Sequence, residues 1–105
     1  MNLIEKFINK RTLTIEDLKK KDIYILCATT TDYYSLMNYF HKKNLRWVSN
    51  DLPHEFIPEQ LEENNKPVYI KIVENEEDKF DDRIIMYSTG PKGLKAYDYQ
   101  NIKLI

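Results

Sequence analysis

Between Asp22 and Ser49 a strand, a capped amphipathic helix and a second strand follow one another without interruption, in the stretch DIYILCATTTDYYSLMNYFHKKNLRWVS. No other segment limits the available folds so strongly. Ile23-Tyr24-Ile25-Leu26-Cys27-Ala28 is β-branched, aromatic and nearly continuous in apolarity, which predicts a central strand covered on both faces. Thr29-Thr30-Thr31-Asp32 ends that strand and supplies side-chain oxygens to cap a helix. Tyr33, Leu36, Met37 and Phe40 then stand at i, i+3, i+4 and i+7, a core-facing stripe, with Tyr34, Asn38, His41 and Lys42 on the opposite side. Asn44 suits a left-handed position just past the helix. Leu45-Arg46-Trp47-Val48 returns as a strand.

The flanks complete an α+β reading. Val68–Val73 and Arg83–Ser88 are strong strands separated by the acidic loop of residues 74–82, and Leu94–Tyr99 is expected at a sheet edge after the turn Gly90-Pro91-Lys92-Gly93. Pro53 and Pro58 argue against a regular strand over 50–66, although a helical turn from Pro58 to Glu63 is allowed, with Pro at its start. Thr14-Ile15-Glu16-Asp17 has the form of a capped helix start, with Lys19-Lys20-Lys21 in its last turn. Leu3, Ile4, Phe7 and Ile8 form an earlier helical stripe. Residues 1–21 therefore read as two short helices joined around Arg11-Thr12. The expected architecture is an antiparallel sheet of about four to five strands with one main helix packed on one face, preceded by that N-terminal helical pair. It forms a single domain over 1–105, with 1–21 as extension and 22–105 as core.

Composition and spacing remove most catalytic classes. The lone Cys27 cannot form an intramolecular disulfide and falls in an apolar strand, where a thiol is protonated and inert. His54-Glu55 starts like a zinc-protease helix, but the position four residues on is Pro58, which neither ligates nor continues a helix. The acidic run after Val73 lacks the spacing and the glycine of a calcium loop. Gly90 and Gly93 bracket Lys92 in a hairpin rather than in a strand-to-helix phosphate loop. No nucleophile, metal or cofactor is therefore expected, and the chain reads as non-enzymatic. The first residues lack a secretory pattern and no segment has the roughly 18 apolar residues of a span, so a cytoplasmic protein is expected.

Charge is what remains. The net charge is −1, yet residues 1–50 carry +4 and residues 51–105 carry −5, with eleven acidic and three basic residues inside 51–82 alone. Lys19–Lys21, Lys42, Lys43 and Arg46, with Tyr34 and Trp47 as stacking groups, make one candidate surface: a small nucleic-acid-binding or regulatory module using the basic first half. Against it, helix C-termini favour Lys in any protein and Trp47 suits the core. The acidic half offers the other surface, complementary to a basic groove on a protein partner and able to steer association by charge.

The helix ending in Lys42-Lys43-Asn44-Leu45-Arg46-Trp47, the two strands after it and the closing Tyr97-Asp98-Tyr99 resemble small proteins of phages and prophages of low-GC Gram-positive bacteria. The likeness is carried by Ile23–Ser49 and Val68–Tyr99. Anti-CRISPR proteins among such counter-defence proteins are similar in size and in lacking enzymatic motifs. The resemblance implies inhibition by binding; the expected partner is a nucleic-acid-processing defence effector in the host cytoplasm, of which a CRISPR effector nuclease is the leading example, with no direct contact with nucleic acid. Together with the charge division it directs attention to Glu62, Glu63, Glu74, Glu76, Glu77, Asp78, Asp81 and Asp82 as charge partners for Lys and Arg, with Tyr69 and Phe80 as aromatic anchors. The stripe of Leu3, Ile4, Phe7 and Ile8 is the expected homodimer surface.

Overall fold

The computed structural model describes residues 11–20, 23–73, 82–90, 92–93 and 95–105. Residues Leu3, Ile4, Phe7 and Ile8 lie outside them, as do Glu74, Glu76, Glu77, Asp78, Phe80 and Asp81.

The helix anticipated after Cys27 is present as α2, Thr30–Lys42, and it forms for the expected reasons. Thr29 is extended and its side-chain hydroxyl accepts from the Asp32 amide, satisfying one of the orphan donors of the first turn. Tyr33, Leu36, Met37 and Phe40 are buried, each contributing about 1.5–3 kcal/mol by leaving water. Asn44 ends the helix with φ at 62°, the left-handed conformation that asparagine tolerates.

The stripe rests on a five-stranded sheet. Its strands are β2 (Ile23–Cys27), β3 (Arg46–Trp47), β4 (Val68–Val73), β5 (Arg83–Tyr87) and β6 (Lys95–Asp98), in the spatial order β3-β5-β4-β2-β6. Opposed residues share a face, so Ile25, Ile70 and Met86 lie in one row and Ile72 lies beside Ile84. These side chains meet α2 in a core that also takes in Cys27, Val68, Leu45 and Trp47.

Two expectations are corrected. The sheet is mixed rather than antiparallel: β4 pairs antiparallel with β2 and β5, but β2 pairs parallel with β6 and β3 parallel with β5. β4 and β5 follow one another in the chain and can pair as a hairpin, whereas the partners β2 and β6, and β3 and β5, are separated by other strands, which leaves either direction open. The N-terminal reading holds only in part. Thr14 caps the short helix α1, Ile15–Leu18, in a reciprocal capping box with Asp17, as its sequence implied. Arg11-Thr12, expected as the joint between two helices, instead lies in a strand, β1 (Arg11–Leu13), paired parallel with β7 (Ile102–Leu104). That pairing gives backbone groups of Arg11–Leu13 partners that a helix joint would leave to water, and it buries Leu13.

Candidate functional site: a pinned acidic segment

The chain between β3 and β4 has little regular structure, yet several bonds to the core hold it. Asn50, at φ 76°, turns the chain out of β3. Its side-chain oxygen accepts from an Arg83 guanidinium nitrogen at 2.9 Å, and its carbonyl accepts from Arg46 at 3.0 Å. The indole N–H of Trp47 donates to the Pro53 carbonyl oxygen at 3.0 Å within the core. The Tyr33 hydroxyl, reaching out from α2, donates to the Phe56 carbonyl oxygen at 2.6 Å. Pro53 opens a 3-10 turn, Pro53–Glu55, and Pro58 precedes α3, Glu59–Glu62. Both prolines and Leu61 are buried, so fixed-φ residues and one apolar anchor seat the segment without a strand. Gln60 donates to the Pro67 and Ser88 carbonyls at 2.8 and 3.1 Å, tying α3 to the start of β4 and the end of β5.

What this frame displays is charge. Asp51, Glu55, Glu59, Glu62 and Glu63 are all exposed. Asp51 and Glu55 accept local hydrogen bonds, from Ser49 and from the Leu52 amide. Among the described residues the ion pairs are Lys19 with Glu16 and Asp82, and Lys20 with Asp17, so none of these five carboxylates has a cation partner among the described residues. Beside them runs an open groove of about 700 Å³, lined by Phe56, Ile57, Glu59 and Met86 among others. Phe56 is itself exposed and sits edge-on to Trp47, with ring centroids 5.1 Å apart.

The residues singled out in the sequence separate in space. Glu62 and Glu63 close α3, at the Val68 end of β4. Asp82 lies beyond the Val73 end, across a six-residue strand and thus about 17 Å away along it. Its side chain is only 9% exposed and holds the Lys19 ammonium at 2.7 Å, so it is occupied inside the fold. Tyr69 is half-buried on the sheet face opposite α2, edge-on to Tyr24 at 5.3 Å. The remaining residues of that set lie outside the described residues. Asp51, Glu55, Glu59 and Phe56 were not singled out. The usable signal was an indole donor needing an acceptor between two prolines.

The basic alternative loses its strongest stacking group. Trp47 is 5% exposed with its N–H bonded, and Lys19 is engaged by Asp82. Cys27 is fully buried, and burial followed by the charges of Asp32 and Asp98 pushes its thiol from 9.0 up to about 12. His41 and His54 stack edge-to-face at 5.0 Å, but no group of three or more potential metal ligands exists among the described residues. No described helix is long and apolar enough to cross a membrane. No protein-family model, curated protein or solved structure matches this chain.

Proposed function

We propose that this protein is a non-enzymatic inhibitor from a mobile element that binds a nucleic-acid-processing bacterial defence effector in the host cytoplasm. Its negatively charged surface occludes the effector's basic groove. The supporting observation is the segment from Asp51 to Glu63: five exposed carboxylates without ion-pair partners among the described residues, on a backbone fixed by Trp47, Tyr33 and Gln60. A pre-ordered segment loses little conformational freedom on binding, and unpaired charge speeds encounter with a basic surface. Phe56 and the groove beside it supply an apolar contact inside the charged rim, the arrangement in which a few buried anchors carry most of the affinity. Glu62 and Glu63 belong to this surface. Glu74, Glu76, Glu77, Asp78 and Asp81 add further negative charge in the sequence, and a CRISPR effector nuclease is the leading candidate partner.

The test is inhibition of guide-directed DNA cleavage by purified effector nucleases. The protein should slow cleavage while leaving free DNA and RNA unshifted in gels at physiological salt. The variant carrying Asp51→Asn, Glu55→Gln, Glu59→Gln, Glu62→Gln and Glu63→Gln should lose potency by about tenfold or more. Cleavage at an undiminished rate with every effector, or direct binding of nucleic acid, overturns the reading.

A further inference from the structure

A second concavity, independent of the acidic segment, lies between α2, the 3-10 turn Tyr99–Asn101 and β7. Its volume is about 920 Å³, and its walls include Asp32, Tyr39, Tyr99, Gln100 and Lys103. Asp32 is only 8% exposed, an unusual burial for a carboxylate with no cation paired to it among the described residues. Gln100 donates to Asp32 Oδ2 at 3.2 Å. Asp32 Oδ1 has no hydrogen-bond partner among the described residues, and Asp32 lines the cavity.

Two other lining residues offer acceptors as well. Tyr39 uses its hydroxyl hydrogen on the Ile105 carbonyl oxygen at 2.8 Å, which leaves its oxygen lone pairs as acceptors. Gln100 has committed an N–H to Asp32, and its amide oxygen is an acceptor as well. Burial pushes the Tyr99 hydroxyl above its ordinary value, with the neighbouring Ser35 side chain opposing the shift. The cavity therefore presents acceptors around one carboxylate, and its complement is a donor with positive charge. The Tyr39 ring already carries one cation, Lys43 Nζ, at 5.5 Å from its centroid. The N-terminus of α2 opposes a cation here, but with about half a unit charge against the full charge of the carboxylate.

We infer that this cavity binds the primary ammonium group of a small aliphatic amine, with Asp32 Oδ1 as the charged acceptor and Gln100 Oε1 and Tyr39 Oη as supporting acceptors. The exposed Lys103 on the rim decides the class further. Its charge disfavours a dication and favours a monoamine, while a zwitterion would gain from it.

Calorimetric titration of the full chain with n-butylamine, putrescine and γ-aminobutyrate tests this. Butylamine should bind with a Kd on the order of 1 mM, in keeping with so small a ligand. Asp32→Asn preserves shape and an oxygen facing Gln100, and should weaken butylamine binding about tenfold. Lys103→Ala should strengthen it about twofold. Should Asp32→Asn reduce the melting temperature, Tyr99→Phe and Gln100→Leu provide folded alternatives: Gln100→Leu should weaken butylamine binding and Tyr99→Phe should leave it unchanged. No butylamine binding, or binding unaffected by both Asp32→Asn and Gln100→Leu, overturns the site. γ-Aminobutyrate should bind more tightly than butylamine, an advantage lost in Lys103→Ala, whereas tighter binding of the dication putrescine than of butylamine overturns the assigned ligand class.

Discussion

The indole N–H of Trp47 donates to the carbonyl oxygen of Pro53 at 3.0 Å inside the core, and this bond joins the scaffold to the acidic segment it displays. Tryptophan pairs a large apolar body with a single donor, so when buried it needs an acceptor nearby. Here that acceptor belongs to a stretch in which Pro53 and Pro58 argue against a strand.

Trp47→Phe should therefore do two separable things. It removes the donor, leaves a buried carbonyl unpaired and opens a small void, destabilising the fold by about 2–3 kcal/mol in urea titration. It should also speed hydrogen exchange at the Glu55 amide, which bonds to the Leu52 carbonyl within the 3-10 turn. An exchange rate unchanged relative to amides in β4 would show that the segment holds its shape without the indole.

The buried thiol gives an alkaline prediction. Cys27 is raised from 9.0 to about 12 by burial first and by Asp32 and Asp98 second, so the folded state keeps a proton that the unfolded chain releases. Stability from this group is complete below about pH 9 and is lost as pH rises from 9 towards 12. Buried Tyr33, raised chiefly by burial, acts in the same direction. Melting temperatures should fall through this window, and less steeply in Cys27→Val. At about pH 8 a thiol reagent should leave the native protein unlabelled and label it fully in concentrated urea.

The Lys19–Asp82 pair is expected to be structural. Asp82 is largely buried and one of its oxygens has no partner, so Lys19→Ala should leave a poorly compensated charge and cost about 1–3 kcal/mol. Lys19 is raised above 10.5, chiefly by its hydrogen bond to Asp82. Its stabilisation is thus present below that value and disappears as pH rises through the raised one. Denaturation of Lys19→Ala at neutral and alkaline pH checks both the size and the sign, since the difference from the parent protein should shrink with pH.

How far the sequence anticipates the molecule depends on how local the cause is. α2 is legible because its apolar spacing, its Thr29 cap and its terminal Asn44 all act within a few residues. The β4–β5 pairing is legible because a short connection forces it. The parallel pairings are not, since nothing within Lys95–Asp98 specifies that Leu26 will stand opposite Asp98. Arg11–Leu13 has no period to read, and its partner strand lies at the other end of the chain. The same distinction governs the candidate surface. Charge density was visible, but whether a carboxylate is free or spent depends on a partner such as Lys19, which is 63 positions from Asp82.

The most direct measurement is the association rate of the protein with its effector across a salt series, for two neutralised variants. One replaces Asp51, Glu55, Glu59, Glu62 and Glu63 by their amides; the other does the same to Glu74, Glu76, Glu77, Asp78 and Asp81. If the pinned segment is the binding face, the first variant associates about tenfold to a hundredfold more slowly at low salt and loses most of the salt dependence, while the second keeps the larger part of both. Equal rates for the parent protein and the first variant would contradict the account.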